Sequence, residues 1–220
     1  MRHVPPTRSD LPVGILLAAG LGSRFDPAGV RNKLTEPMPG GPQRGLPVAF
    51  VAARRLRAAL PRVIAVVRSD TGSGDAARHA QALKKLLIEA GCEVLVSTDA
   101  ERGMGAALAS AVRACADAPG WLVALADMPA IAPATLLDIA EAVIAAEAGP
   151  EVIVAPRHDG QRGHPVGFGR AHGAALAALD GDEGARSLLA NAPVRYLDTL
   201  DAGVVRDIDT PLDLEALIRA

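Results

Sequence analysis

The chain alternates short, unbroken apolar runs with longer stretches in which apolar residues recur at helical spacing. Residues 13–18 (V-G-I-L-L-A), 63–67 (V-I-A-V-V), 94–97 (V-L-V-S), 121–126 (W-L-V-A-L-A) and 152–155 (V-I-V-A) are the apolar runs. They predict strands buried on both faces, as in a parallel sheet. Residues 75–90 place Ala76, Ala80, Leu83, Leu87 and Ala90 at helical spacings, with Lys84, Lys85 and Glu89 on the other side. Residues 104–116, 133–148 and 211–219 also read as helices. Pro133 and Pro211 stand in the first turn of theirs, where a missing N–H costs nothing.

This alternation predicts right-handed βαβ units, hence an α/β protein of three layers, α/β/α, with a Rossmann-like, mostly parallel sheet. Ligands of such sheets bind outside the carboxyl ends of the strands. The residues just after each strand are therefore the ones to read for chemistry. Residues 1–12 carry three prolines and mixed charge and are expected to form a flexible tail, with 13–220 as a single domain. The sequence has no internal repeat and no low-complexity linker.

Composition narrows the function classes. Half of the 220 residues are hydrophobic, enough for a sizeable core. A net charge of −2 and only five aromatic residues offer neither a basic field nor a base-stacking platform, so no nucleic-acid partner is expected. Cys92 and Cys115 lie far apart without metal-ligand spacing and read as reduced, buried thiols. The N-terminal residues lack the apolar run of a signal peptide, and no segment reaches the ~18 apolar residues of a membrane span. A cytoplasmic protein without membrane contact is the expectation.

Directly after the first apolar run comes A-G-L-G-S-R-F, residues 19–25. Gly20 and Gly22 would let backbone N–H groups approach a phosphate with no Cβ in the way. Ser23 adds a hydroxyl, Arg24 a planar fork for phosphate oxygens, and Lys33 follows within reach if the chain folds back. The spacing excludes a P-loop, and Phe25 stands where a dinucleotide fingerprint needs its third glycine. A tight turn without a ligand is the bland alternative.

L-A-A-G-L-G-S-R-F with the downstream N-K-L of Asn32, Lys33 and Leu34 resembles the signature of the MobA-like nucleotidyltransferases of nucleotide-diphospho-sugar-transferase fold. The resemblance is closest to the molybdenum cofactor cytidylyltransferases and their guanylyltransferase relatives. It implies that Leu17, Ala18, Ala19, Gly20, Leu21, Gly22, Ser23 and Arg24 cradle a triphosphate and that Lys33 contacts its phosphates. The chain departs from the pattern in the D-P-A-G-V-R stretch between Arg24 and Lys33 and in T-E-P-M-P-G-G-P-Q-R-G after Leu34.

Two acidic positions complete the reading. Asp127 follows the fourth apolar run in A-D-M-P, where an oxygen ligand would face the ligand crevice and hold Mg²⁺. Capping of the next helix is the alternative. The quartet resembles the family's G-D-M-P, whose Asp binds the metal, with Ala126 replacing glycine. Near the C-terminus, D-I-D-T-P-L-D-L resembles the family's D-I-D-T-P-E-D-L, which implies a second metal carboxylate directly before Thr210-Pro211. Asp209 is the choice and Asp207 the reserve. Read as a strand end, the pair is expected to face opposite sides, one into the site, although Asp209 could also be a helix N-cap.

G-H-P-V-G-F, residues 163–168, resembles the segment lining the acceptor side in that family, which makes His164 a candidate acceptor ligand. Arg157 and Arg162 flank it as candidate anion binders. E-R-G-M-G-A-A-L, residues 101–108, resembles the turn beside the base, with Ala106 and Ala107 in place of serines; Asp99 could meet base or ribose or be a solvated turn residue.

The reading is a nucleotidyltransferase with Arg24, Lys33 and Asp127 as catalytic groups and Mg²⁺ on Asp127 and Asp209. It moves a nucleoside monophosphate from a nucleoside triphosphate to a small phosphorylated acceptor. The resemblance implies molybdopterin as acceptor and a molybdoenzyme or delivery chaperone as possible partner. L-A-A-G at residues 17–20 leans to CTP over GTP. The rivals are a transferase for another phosphate or phosphosugar and a non-catalytic module that delivers nucleotide or cofactor.

Overall fold

The computed structural model describes residues 10–20, 22–69, 74–145 and 147–217. Its strands are β1 (Val13–Leu17), β2 (Val63–Arg68), β3 (Glu93–Ser97), β4 (Gly120–Leu125), β5 (Ile153–His158), β6 (Gln161–Arg162), β7 (Val166–Gly169) and β8 (Arg195–Asp198). The helices are α1 (Val48–Ala59), α2 (Asp75–Glu89), α3 (Met104–Ala114), α4 (Pro133–Ile144), α5 (Gly173–Ala177), α6 (Arg186–Asn191) and α7 (Pro211–Ala216).

One mixed sheet carries the strands in the order β3-β2-β1-β4-β7-β5-β6, with β8 also pairing with β5. β1, β2, β3 and β4 pair in parallel, as do β5 and β8, while β7 runs antiparallel between β4 and β5. The expected α/β fold with a mostly parallel sheet is present, and the antiparallel β7 joins its two parallel parts.

Residue parity along the strands explains the layering. Leu16, Leu122, Ala124 and Val154 join one apolar cluster with Ala53 and Leu56 of α1, Leu87 of α2 and Ile139 of α4. Their neighbours Ile15, Trp121, Val123, Ile153 and Ala155 point the other way, toward Leu108 and Val112 of α3 and Leu176 of α5. Every strand in this set is thus apolar on both sides, which is why the runs in sequence do not alternate. A third cluster joins Phe25, Met38, Val48 and Val51 to Ile208 and Leu214, tying the segment after the glycine loop to the C-terminal acidic motif.

Helix ends differ from the expected ones by up to four residues. α3 stops at Ala114 and α4 at Ile144, because alanine-rich flanks read as helical beyond the true boundary. Residues 218 and 219 of the last expected helix lie outside the described residues. So do residues 1–9 of the expected tail, whereas Leu11 is buried in the core. Among the described residues, no helix is long and apolar enough to cross a membrane.

Candidate active site

A cavity of about 710 Å³ opens at the carboxyl ends of β1, β2 and β4, where the topology places ligands in such sheets. Leu17, Ala19, Gly20, Gly22, Ser23 and Arg24 line it. Ala18 is buried instead and donates its N–H to the Val66 carbonyl at 3.0 Å, extending the β1–β2 ladder. Leu21 lies outside the described residues. Gly22 has φ +66°, a left-handed conformation that favours glycine, and its carbonyl accepts the Phe25 N–H at 2.9 Å.

The unexpected D-P-A-G-V-R stretch is a compact turn built on one carboxylate. Asp26 accepts the N–H groups of Ala28 at 3.0 Å and Arg31 at 2.7 Å. Arg31 pairs with Glu36 and lies over the Phe25 ring at 5.1 Å. Asn32 then accepts the Leu34 N–H at 2.9 Å. The chain has turned back, and the stem of Lys33 packs beside Gly22. The stretch therefore closes on Asp26, whose own N–H donates to the Gly22 carbonyl at 3.2 Å, and still delivers Lys33 to the loop.

Lys33 is nearly buried, and its Nζ donates to Asp127 Oδ2 at 2.6 Å and to Asp209 Oδ1 at 3.1 Å. Arg24 Nη1 reaches the other oxygen of Asp209 at 2.5 Å. Residues separated by 94, 176 and 185 positions thus meet in one cluster. The join is made by backbone: the Ile208 N–H donates to the Asp127 carbonyl at 3.0 Å.

The C-terminal acids are arranged differently from the expectation. Residues 206–209 are not a strand, and Asp207 and Asp209 do not face opposite sides. Both line the cavity, because in extended backbone positions two apart share a side, and Ile208 between them is fully buried. Nor does Asp209 cap the last helix. Thr210 is the N-cap, accepting the Asp213 N–H, while Asp213 accepts the Thr210 N–H at 2.6 Å in a capping box. The N-cap of α4 is Ala132, so Asp127 is not a cap either.

Burial pushes the Asp127 carboxyl above the ordinary aspartate range; Lys33 opposes the shift and Asp207 adds to it. Burial also works against the charge of Lys33, but Asp127 and Asp209 outweigh it and hold the amine above its usual value. For Asp209 burial is outweighed by Lys33 and Arg24, which hold the carboxyl low.

Arg162 and His164 also line the cavity and Arg157 does not. Arg157 is held by Asp198 at 2.7 Å and lies over Tyr196, so its expected acceptor role has no support in its position. Asp99 pairs with Arg102 and Arg113 and accepts from Ser110, and it too is not a lining residue. Of the two alanines near α3, Ala107 lines the cavity and Ala106 does not. Burial, Arg162 and Arg186 lower the His164 pKa to about 4, against the pull of Asp207.

Two contributors escaped the reading of the sequence. Arg68, at the carboxyl end of β2, donates from Nε to the Ala19 carbonyl at 2.6 Å and lines the cavity. The rule that residues at strand ends carry chemistry would have found it. Asp201 accepts the Ala132 N–H and the Thr135 hydroxyl, each at 2.8 Å, and the Gly203 N–H at 2.9 Å. It ties the C-terminal turn to the start of α4, and no local motif marks it.

The fit of a metal can be tested on the donors. Asp127 Oδ1 is buried without a hydrogen-bond partner. A second hard carboxylate, Asp209, shares the Lys33 ammonium with Asp127, so a cation already bridges the two acids. Among the described residues no group of three or more His, Cys, Asp or Glu could hold a metal by itself. Two carboxylates completed by substrate oxygens is the usual arrangement for Mg²⁺ at phosphates. The residues fit such an ion.

A parallel-sheet protein with a glycine loop, cations and two carboxylates at one strand edge belongs to the nucleotide-binding α/β class. The sequence matches the MobA-like NTP transferase domain over residues 14–199, and the chain belongs to that family. Among solved structures it is similar to Rv0371c from Mycobacterium tuberculosis H37Rv, with 31% identity, TM-score 0.73 and coverage of 96% of this chain and 99% of that one. A manganese complex of Rv0371c matches with 29% identity, TM-score 0.71 and coverage of 96% and 100%. A nucleotidyl transferase from Methanothermobacter thermautotroptrophicus, Mth528, shares the fold at 20% identity, TM-score 0.74 and coverage of 96% and 97%. No curated protein sequence matched the chain.

Proposed function

We propose that the protein is a divalent-metal-dependent nucleotidyltransferase, working with Mg²⁺, that transfers a nucleoside monophosphate from a triphosphate to a small phosphorylated acceptor. CTP is the favoured donor and molybdopterin the favoured acceptor. The observation that carries the reading is the meeting of Arg24, Lys33, Asp127 and Asp209 beside the glycine loop. The L-A-A-G of residues 17–20 supports CTP, and the manganese complex of the similar Rv0371c supports a divalent ion.

In the proposed reaction an acceptor phosphate oxygen attacks the α-phosphorus, the bond to the bridging oxygen breaks, and pyrophosphate leaves. A phosphate nucleophile is already ionised near neutral pH, so the chain need not supply a strong base. Catalysis then rests on positioning and charge. Asp127 and Asp209 would hold the metal, which supplies charge neutralisation at the phosphates when bound. Loop N–H groups, Ser23 and Arg24 hold the phosphate chain in line. Lys33 gives up its carboxylates and turns its ammonium to the phosphates. His164 and Arg162 face the acceptor.

The test is pyrophosphate release from each of the four nucleoside triphosphates with Mg²⁺ and molybdopterin. Release with CTP that needs both metal and acceptor is expected, and Asp127→Ala lowers it at least ~100-fold. No release with any triphosphate, or full activity in a folded Asp127→Ala protein, overturns the assignment. Nucleotide binding without release under all conditions identifies a delivery module instead.

A further inference from the structure

Arg186 lies in none of the motifs described above, yet it opens into the same cavity. It begins α6, at the end of the loop D-G-D-E-G-A-R, residues 180–186. Asp182, Glu183, Gly184, Ala185 and Arg186 all line the cavity wall.

The loop is fastened to the start of α3 and to the turn before it. The Gly105 N–H donates to the Gly181 carbonyl at 2.7 Å, and Arg102 Nε pairs with Asp180 at 2.9 Å. A Cβ on Gly103 would sit 2.3 Å from Asp182 Oδ1, so the loop is seated on bare backbone there. These contacts hold the start of the loop, and the Arg186 N–H donates to the Glu183 carbonyl at 3.2 Å.

Three features of the wall then combine. Among the described residues, neither Arg162 nor Arg186 has a carboxylate or hydrogen-bond partner for its guanidinium, unlike Arg24, which Asp209 holds. His164 lies between their influences: both arginines oppose its protonation. Its Nδ1 is buried with no partner, an orphan that a bound group would satisfy. Two uncommitted guanidinium forks and one idle imidazole nitrogen make a receptor for an oxyanion. Asp207 faces His164 as well, and Asp182 and Glu183 line the same cavity, so carboxylates border the receptor.

We infer that Arg186, carried by the 180–186 loop, joins Arg162 and His164 to form the subsite for the acceptor's phosphate group. This deepens the proposed function and rests on it for the word acceptor. The anion site itself stands on the side chains alone. The ligand class is a phosphomonoester. Arg186 binds and orients the nucleophile opposite the leaving group held by the glycine loop.

The test separates the two readings. Inorganic phosphate is titrated into the full-length protein by calorimetry with Mg²⁺ and CTP present at saturating concentration, for wild type, Arg186→Gln, Arg186→Lys and a surface control, Arg44→Gln. Phosphate affinity should fall about 10- to 100-fold in Arg186→Gln, recover partly in Arg186→Lys and stay unchanged in Arg44→Gln. CTP affinity should be the same in all four. With molybdopterin as acceptor, Arg186→Gln should raise the acceptor KM while leaving the CTP KM alone. Equal phosphate affinity in wild type and Arg186→Gln overturns the inference, as does an equal loss of CTP affinity, which would mark a merely structural residue. If wild type binds no nucleotide, the proposed function fails. The phosphate titration without nucleotide, repeated in Arg186→Gln and Lys33→Met, still decides where the anion sits.

Discussion

Replacing Lys33 by methionine should produce two opposite effects at one site. The Lys33 ammonium bridges Asp127 and Asp209 at 2.6 and 3.1 Å, with only 10% of its side chain exposed. A divalent ion that takes those carboxylates must first displace it. Hydrogen bonds to charged groups contribute roughly 1.5–3 kcal/mol each. The Asp209 bond deserves a discount, because that side chain is 34% exposed and keeps Arg24 as a second partner. We therefore take the barrier to displacement as about 2 kcal/mol in total, which corresponds to about 30-fold in affinity.

Lys33→Met should thus bind Mn²⁺ about 30-fold more tightly than wild type without nucleotide. Its turnover should nevertheless fall at least ~100-fold, since the phosphates lose their buried cation. Calorimetric titration of Mn²⁺ into the nucleotide-free protein reads the first effect and pyrophosphate release the second. Asp127→Asn, made in both backgrounds, should remove the tight binding. Mn²⁺ affinity equal to or weaker than wild type in a folded Lys33→Met protein would refute the claim that the lysine occupies the metal's position.

Three further outcomes follow from other parts of the structure. Asp201→Ala leaves the Ala132 and Gly203 N–H groups and the Thr135 hydroxyl without their acceptor, so urea unfolding should show a loss of about 1–3 kcal/mol. His164 has a folded pKa of about 4 against an ordinary 6.5, so the unfolded chain binds the extra proton between those values and stability falls as pH drops through that window. His164→Gln should remove about 2.5 kcal/mol of the difference between roughly pH 7 and pH 4.5, measured by denaturant melts; an unchanged pH slope sinks that account. Gly103→Ala forces a Cβ into the Gly181 carbonyl at 2.5 Å from a backbone with φ +127°, and should cost about 1–3 kcal/mol in thermal unfolding, with Gly149→Ala, in open space, a control for the conformational cost alone.

What could be read in advance divides along a physical line. β1, β2 and β4 are buried on both faces and announce themselves as apolar runs. β7 does not: in V-G-F-G, Gly167 and Gly169 are required because Val143 of α4 and the Pro150 carbonyl fill the space of a Cβ. β8, R-Y-L-D, is an exposed edge strand without an apolar signature. The glycine loop, Lys33 and Asp127 were legible because each sits next to a strand end or a motif. Asp201 and Arg186 were not, since their importance lies in what they meet across the fold. The D-I-D pair was recognised, but its geometry needed the rule that residues two apart in extended chain share a side.

The charge pattern of the cavity gives its cations two different ways of receiving an anion. Arg24, Lys33, Arg68, Arg162 and Arg186 line it together with Asp127, Asp182, Glu183, Asp207 and Asp209, so cations and carboxylates balance. A balanced cavity attracts an anion only where the pairing is uneven. At the glycine loop the cations are committed, Lys33 and Arg24 to Asp127 and Asp209. Under the proposed function a triphosphate can claim them only if another cation takes over the carboxylates, and a metal ion can claim the carboxylates only if an anion takes over the lysine. Each ligand relieves the cost that the other faces, so metal and nucleotide must bind with positive coupling. Among the described residues Arg162 and Arg186 are uncommitted, and an acceptor phosphate needs no exchange of partners there. Metal–nucleotide affinity should therefore depend steeply on both components together, and Arg162 and Arg186 are free to take the acceptor phosphate without first losing a partner.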